Sequence, residues 1–529
     1  MADKSNYIVP EDAQRYLGKD AQRNNILAAK ILAETVKTTL GPKGMDKMLV
    51  DKLGNIVVTN DGATILSEMD IKHPIAKMLV EVAKTQDDEV GDGTTTAVML
   101  SGKLLENAEN LLDQKIHPTI ITRGYRIATE KALEYLEDLS SEITSEEELL
   151  KIAQTAMTGK GAEFAKEHLD KLVVEAIKSI IDEGNIDLEN VKLQKEKGGS
   201  IKDSELIKGI VLDKERTSMQ MPQKIENAKI ALLDCPLEIK NLDRETRISI
   251  SSPEQLQSFM SQEEEFITQM IKKIQDSQAN VVICQKGIDD IAQFYLAKKG
   301  IYAIRRVPKS DMAKVARATN GKIVTSINDL SSEDLGFAEI VEEKRRQDEG
   351  FTHITGCKNP KSVTLLLKGG TEHVVDEIER AIVDSLGDVA CAVKDQRIVP
   401  GGGAIEIELS SRLKSFAKKM SGREQIAIES FASALEFIPT TLAENAGLDP
   451  LDVLTELRVN HESGNKNYGI NLFSGKVEDT LNRGIIEPLR IKKQAINSAS
   501  EVSIMILRID DVIASAGESQ SKKSLLDYD

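Results

Sequence analysis

The sequence predicts a multidomain α+β protein in which an α/β domain is inserted into a mostly helical one. Three observations carry this. The chain has 529 residues, more than one hydrophobic core serves, so roughly two to four domains are expected. Helical periodicity dominates both ends of the chain. Between about 215 and 365, short apolar runs alternate with helical patterns, the mark of an α/β unit.

The elements follow in order. Over 20–40, Ile26, Ala29, Ala33, Val36 and Leu40 recur at steps of three and four, which lines them on one helical face. Gly41 and Pro42 end that helix, because glycine frees the backbone and proline cannot continue the ladder. Ile56, Val57, Val58 and Thr59 read as a strand closed by the turn signal Asn60-Asp61-Gly62. Further helices are expected over about 74–88, 94–113 and 118–139, the last opened by His117-Pro118. In the middle, 229–233, 281–284 and 301–307 read as strands and 288–299 as a helix. Ser252-Pro253-Glu254-Gln255 has the form of a helix start with a capping box. Leu256, Phe259, Met260, Phe266, Ile267, Met270, Ile271 and Ile274 supply that helix's apolar face. From about 400 the chain turns helical again through 403–420, 423–446 and 494–514. Segments near 146–214 and 366–399 read as hinges between the helical and α/β parts. No fixed-period repeat occurs, and 517–529 is a polar tail.

Composition narrows the function. The formal net charge is -17, whereas a duplex-binding protein carries a basic face, so nucleic acid is not the expected ligand. No run of about 18 apolar residues occurs and the start lacks a signal-peptide pattern, so no membrane span is expected and the protein reads as cytoplasmic. Cys235, Cys284, Cys357 and Cys391 form no CxxC pair, so neither zinc nor a disulfide framework is expected. The six histidines show no metal-ligand spacing and read as structural or exposed.

The chemistry concentrates in 87–96, Asp-Asp-Glu-Val-Gly-Asp-Gly-Thr-Thr-Thr, which runs straight into a helix. Glycines let backbone approach a phosphate. Thr94, Thr95 and Thr96 put hydroxyls and N–H groups at a helix N-terminus, where the dipole favours an anion. Asp92 in the turn suits Mg2+, which binds through one or two carboxylates plus phosphates. A tight turn with a threonine cap is the plainer alternative. Other glycine loops accompany it: Leu40-Gly41-Pro42-Lys43-Gly44, Asn60-Asp61-Gly62 and Pro400-Gly401-Gly402-Gly403. Phosphoryl hydrolysis needs a positioned water, a metal and charge neutralisation, and Asp61 could orient that water. No G-x-x-x-x-G-K-[ST] motif occurs, which excludes a Walker-type P-loop. No GxGxxG follows a strand, and nothing suggests a Ser/His/Asp triad.

These segments resemble the nucleotide-site signatures of group II chaperonins. The matching stretches are Leu40-Gly-Pro-Lys-Gly-Met-Asp-Lys-Met-Leu49, Thr59-Asn-Asp-Gly-Ala-Thr-Ile-Leu66 and Gln86-Asp-Asp-Glu-Val-Gly-Asp-Gly-Thr-Thr-Thr96. Ile283-Cys-Gln-Lys-Gly-Ile-Asp-Asp290, Pro400-Gly-Gly-Gly403 and Gly484-Ile-Ile-Glu-Pro488 belong to the same pattern. Gly198-Gly-Ser-Ile-Lys-Asp-Ser-Glu-Leu-Ile-Lys-Gly209 resembles the archaeal, thermosome-type branch. The resemblance spans about 7–515.

It implies the chaperonin fold. A mostly helical equatorial domain would comprise 1–145 and 400–529, and a small α/β intermediate domain 146–214 and 367–399. An α/β apical domain would cover 215–366, with a helical protrusion near 243–277 serving as a built-in lid. It also implies an ATP-dependent molecular chaperone that encloses unfolded polypeptides in two stacked rings of about eight subunits each. The rings would be homo- or hetero-oligomeric, with a prefoldin-like co-chaperone as a candidate partner. The implied activity is Mg2+-dependent ATP hydrolysis, with K+ as a further candidate cation.

By motif, Asp92 corresponds to the Mg2+ ligand and Asp61 to a residue that activates water. The family's Glu-Arg-x-x-x-Asp-Ala-Leu pattern here reads Glu379-Arg-Ala-Ile-Val-Asp-Ser-Leu386, which gives the second catalytic carboxylate to Asp384; Ser385 replaces the usual alanine. Asp395 is a rival by its spacing to the glycines. Lys160, in Thr158-Gly-Lys-Gly161, matches the loop that senses the γ-phosphate. Leu40, Gly41, Pro42, Gly93, Thr94, Thr95, Thr96, Gly402, Gly403 and Glu487 would contact nucleotide, with Glu487 near the ribose or base. Ile291, Phe294 and Tyr295 are candidate client contacts, packing in the α/β core being the alternative. Many relatives end in Gly/Met-rich repeats; this chain ends Ser521-Lys-Lys-Ser-Leu-Leu-Asp-Tyr-Asp529, which leaves a cavity-floor role for the tail unsupported. A phosphotransferase acting on a small metabolite, or a ring subunit that assembles without hydrolysing, are the competing readings.

Overall fold

The computed structural model describes residues 14–161, 163–238, 253–346 and 349–514. It divides into two compact units, one formed by Met1–Glu163 with Val383–Asp529 and the other by Phe164–Ile382. Residues 243–252 of the expected protrusion, Ser252 among them, and the polar tail 517–529 lie outside the described residues.

The first unit is mostly helical. Its long helices are Gly18–Lys37, Pro74–Val90, Thr94–Asp113, Pro118–Leu139, Ala404–Ala417, Arg423–Leu435 and Leu489–Leu507. Local chemistry sets several starts. His73 and His117 each accept a backbone N–H through the ring and precede a proline in the first turn, where proline's missing donor costs nothing. The helices share one apolar core with few aromatic residues. Its largest fully buried side chain, Tyr125, stands edge-on to Phe431 at 5.6 Å and donates its hydroxyl to the Leu104 carbonyl at 2.8 Å. A buried phenol without that acceptor would cost about 1–3 kcal/mol.

Three sequence expectations are corrected here. The first helix stops at Lys37 rather than 40, where Thr38 and Thr39 follow and the Thr39 hydroxyl caps the Val36 carbonyl. The expected helix 423–446 is two helices, Arg423–Leu435 and Phe437–Asn445. Pro439 explains the break, because its ring clashes with the carbonyl four residues back. This apolar run is long enough to cross a membrane by composition, yet 67% of its most apolar window is buried within the protein, as in a core helix. The last helix is Leu489–Leu507, not 494–514, and Asp511–Ala514 is a strand paired antiparallel with Gln14–Leu17.

The break at Glu436 builds an ionic hub. Its carboxylate accepts from Ser410 Oγ at 2.9 Å, from Lys414 Nζ at 2.6 Å and from the Arg458 guanidinium. Burial works to raise this carboxyl, but the hydrogen bonds from Arg458 and Lys414 outweigh it and hold it below the usual range. A depressed folded value stabilises the protein above the unfolded pKa of about 4.3 and loses that contribution as pH falls through the folded value. Glu436→Gln is therefore expected to cost about 1–3 kcal/mol at neutral pH and to flatten the loss of stability below about pH 4.5. Denaturant titrations across that range measure both; an unchanged pH slope would exclude Glu436 as a source of acid lability.

The second unit is α/β. A seven-stranded sheet runs Tyr302–Ile304, Val281–Cys284, Lys224–Leu233, Gly336–Arg346, Glu349–Thr355 and Gly209–Leu212, with Ile323–Val324 beside Lys224–Leu233. Its parallel part is apolar on both faces, as burial on both sides requires, and separate apolar clusters form the two sides. The helix Pro253–Asp276 packs one side through Ile267, Met270, Ile271 and Ile274, whereas Phe266 is exposed. On the helix Asp290–Lys298, Ile291 and Phe294 are exposed and Tyr295 packs against the core. Core packing therefore accounts for one of the three candidate client contacts and leaves two at the surface. A three-stranded sheet, Val191–Lys197, Val363–Gly369 and Glu205–Ile207, completes this unit.

Candidate active site

The site lies in the first unit and starts at the turn 91–93. The helix Pro74–Val90 ends on Gly91 in the left-handed region, and the next helix, Thr94–Asp113, starts from Gly93, also left-handed at φ 80°. A side chain at Gly93 would adopt that conformation at a cost and would meet the Ile491 Cγ2 atom at 2.9 Å. No side chain caps the Thr94 helix, so its first N–H groups face outward as an anion site. Gln86, fully buried, pins the turn by donating to the Asp92 carbonyl at 2.8 Å and to the Ile491 carbonyl at 3.4 Å.

Asp61 sits beside this turn. Its carboxylate caps the helix Gly62–Glu68, accepting from Ala63 N at 3.2 Å and Thr64 N at 2.7 Å, and it accepts from Thr94 Oγ1 at 3.3 Å. Thr95 packs against Gly62, where an added Cβ would lie 2.6 Å from its hydroxyl. The Asn60 side chain donates to the Gly159 carbonyl at 3.1 Å. Gly159 in turn lies against the Pro42 backbone, and Asn445 holds that loop by donating to the Leu40 carbonyl at 2.9 Å. Lys160, next in line, forms an ion pair with Asp384. Six segments distant in sequence are thus interlocked.

The glycine turn 401–403 is held by other contacts. Gly401 lies against the Glu487 carboxylate, where a Cβ would be 2.8 Å from Oε1. Gly402 is left-handed and faces the Ile470 carbonyl at 2.6 Å from the same hypothetical atom. Gly403 starts the helix Ala404–Ala417 without a side-chain cap. Asp395 lies 3.9 Å from Arg490, whereas Asp384 pairs with Lys160.

Electrostatics set the site's chemistry. Burial pushes the Asp384 carboxyl up; Lys160 pulls against it, while Asp92 and Asp61 add to it. Burial pushes Asp87 up to about 6, helped by Asp61, Asp88 and Asp92. Asp388 is raised well above the carboxylate range by burial and by Asp92. Burial works to lower Lys160, but the surrounding carboxylates Asp384 and Asp92 outweigh it and keep it protonated. The site carries an excess of carboxylate and so favours a cation. No three His, Cys, Asp or Glu side chains among the described residues converge as a complete metal cage. Mg2+ asks for less, one or two carboxylates with phosphate oxygens and waters. The Asp388 Oδ1 atom is buried without a hydrogen-bond partner.

Residues 32–516 match the family model described as the TCP-1/cpn60 chaperonin family. The chain belongs to that family. The chaperonin is 60% identical over 513 residues to a thermosome subunit of Methanopyrus kandleri, spanning 96% of this chain and 94% of the relative. It is 57% identical over 518 residues to the thermosome subunit beta of Methanothermobacter thermautotrophicus, with coverage of 98% and 96%. The thermosome subunit alpha of Archaeoglobus fulgidus is 55% identical over 521 residues, with coverage of 97% and 96%. Identity of this order along nearly the whole length makes it an archaeal group II chaperonin, an ATP-dependent chaperone of the double-ring class that hydrolyses ATP.

The sequence motifs include Gln86 and Asp87 without marking a role for either, and they do not include Asp388, Glu406 or Lys492. Asp388 carried a signal: it is four residues beyond Asp384 on the helix Glu372–Asp395, hence on the same face. An acid whose folded pKa is raised destabilises the fold at high pH and ceases to do so as pH falls. Asp388→Asn is therefore expected to raise the thermal midpoint of the nucleotide-free chaperonin, more at pH 8 than at pH 5. A lower midpoint at both would mean that the Asp388 charge is stabilising.

Proposed function

We propose that ATP with Mg2+ is the nucleotide substrate of this site, and that Asp92, Asp61, Asp384 and Lys160 divide the work of hydrolysis. The observation that carries the reading is the Lys160–Asp384 pair, with Asp92 and Asp61 acting on Asp384, beside an uncapped helix N-terminus. Asp92 holds the metal, which when bound neutralises phosphate charge. Thr94, Thr95 and Thr96, with Gly93, receive the phosphates on backbone N–H groups and hydroxyls. Asp61, fixed by three donors, orients the attacking water, and Asp384 takes its proton. Lys160 senses the γ-phosphate by exchanging its bond to Asp384 for one to phosphate oxygen. Leu40, Gly41 and Pro42 line the same pocket, Gly402, Gly403 and Glu487 receive the ribose or base, and K+ is a candidate second cation. ATP hydrolysis measured with Mg2+ and after chelation tests this: activity surviving chelation would exclude the metal's role.

The three-domain division at 1–145, 146–214, 215–366, 367–399 and 400–529 is part of this proposal, with the protrusion near 243–277 as lid. Unfolded polypeptides are the clients, met in the apical domain by exposed Ile291 and Phe294. Relatives named alpha and beta subunits support a ring of one or two gene products, about eight subunits each, in the cytoplasm, with a prefoldin-like co-chaperone delivering clients. Ring contacts are supported by the hairpin of strands Lys47–Val50 and Ile56–Thr59, which exposes Met48, Val50 and Leu53.

A further inference from the structure

The helix Glu372–Asp395 carries Asp384, and from Val383 onward it belongs to the first unit. It meets the turn at 90–91 through backbone. Gly387 is buried in the helix interior. A Cβ added there would lie 2.9 Å from the Val90 carbonyl oxygen and 3.1 Å from Gly91 Cα. From the other side, a Cβ on Gly91 would lie 3.2 Å from Gly387 Cα and 3.9 Å from the Val383 carbonyl oxygen. One turn further on, Cys391 Sγ lies 3.9 Å from that same Val90 carbonyl oxygen, and Val90, Cys391 and Ile491 form a small apolar cluster. Val383, Gly387 and Cys391 are spaced by four, so they form one line along the helix. Asp384 follows the first of them directly.

Glycine inside a helix is destabilising relative to alanine, so its presence at 387 needs a cause. The close approach supplies one, because the atoms in the way are backbone, which cannot swing aside as a side-chain end can. The two sides of the contact are not equally free to give. The turn is pinned by Gln86, which donates to the Asp92 and Ile491 carbonyls at 2.8 and 3.4 Å, and by the Gly91 N–H, which donates to the Asp87 carbonyl at 2.8 Å. The helix is tied at this level by the Lys160–Asp384 ion pair and by the Ser385 hydroxyl on the Ala153 carbonyl at 3.4 Å, longer than a usual hydroxyl bond. A methyl group at 387 would therefore displace the helix rather than the turn. Asp384 would move with it, away from the turn that holds Asp92. We infer that Gly387 is a positioning residue for ATP hydrolysis, its missing side chain setting how closely Asp384 is held against the 91–93 turn. The inference rests on the reading of Asp384 as the base, and Gly387 acts only through it.

The test uses the full chain as an assembled particle. Gly387→Ala is expected to lower kcat for ATP hydrolysis about tenfold with KM within about twofold, because a small misplacement of a reacting group costs rate while the nucleotide contacts stay in place. A glycine with no positioning role predicts something else: alanine is the better helix former, so the thermal midpoint would rise and kcat would hold. Gly387→Val should lower kcat further than Gly387→Ala, because a larger side chain forces a larger retreat. Adding Gly387→Ala to Asp384→Asn should lower kcat no further than Asp384→Asn alone, because Gly387 acts only through Asp384. Phosphate release at limiting and saturating ATP, with particle mass and thermal midpoint measured in the same samples, reads each of these. Unchanged kcat in Gly387→Ala, while Asp384→Asn lowers it, overturns the positioning role and leaves the reading of Asp384 intact. Unchanged kcat in both overturns the two together. A loss of kcat in Gly387→Ala that recurs in full in the Asp384→Asn background, or that comes with loss of particle mass, assigns Gly387 to packing and also overturns the proposal.

Discussion

Asp384→Asn is expected to cut the turnover number for ATP hydrolysis by about 10²- to 10⁴-fold without loss of assembly. The substitution keeps the side chain's shape and an acceptor oxygen for Lys160, so the ion-paired loop at 158–161 keeps a partner. It removes the one function that needs a carboxylate, accepting a proton from water. Asp384 suits that function because burial raises its affinity for protons, whereas Asp61 is committed to three donors as a helix cap. Phosphate release at saturating Mg-ATP, with particle mass measured in the same sample, reads both halves of the prediction. Turnover within about threefold of the wild type would remove Asp384 from the role of base.

Met48→Glu with Val50→Glu is expected to reduce the assembled particle to species near the subunit mass of 58.1 kDa. The strand Lys47–Val50 alternates, with Met48 and Val50 on its exposed side and Lys47 and Leu49 half-buried. Exposed apolar side chains on a strand favour packing against another chain. Each such side chain contributes about 1.5–3 kcal/mol when fully buried, so two charges in their place oppose association strongly. Both side chains are exposed within the subunit, so the subunit itself should keep its fold. Light scattering of the variant measures this, and a particle of undiminished mass would show that the hairpin is not a ring contact.

Legibility in the sequence followed locality. The helix limits 94–113 and 118–139 agree with the structure because their signals are adjacent in the chain: Gly93 before three threonines, and His117 before Pro118. The break at Glu436 was equally local, and Pro439 marked it. The strand Asp511–Ala514 was not legible, since it exists only by pairing with Gln14–Leu17 at the other end of the chain. The site divides in the same way. Asp61, Asp92 and Gly93 stand in turns whose residue types declare their use. Lys492 and Glu406 stand on helices, where a lone charge reads as a solvated face, yet both are buried and paired with each other. Asp388 falls between these cases: its spacing from Asp384 was visible, but the absence of a partner for its oxygen was not.

In the proposed mechanism, hydrolysis at this carboxylate site drives folding of client proteins. The most direct test is the yield of a denatured client refolded by the wild type and by Asp384→Asn, each with Mg-ATP and with particle masses shown to be equal. ATP-dependent refolding is expected of the wild type, and none above the nucleotide-free level of the variant. Refolding by the variant at the wild-type yield would contradict it.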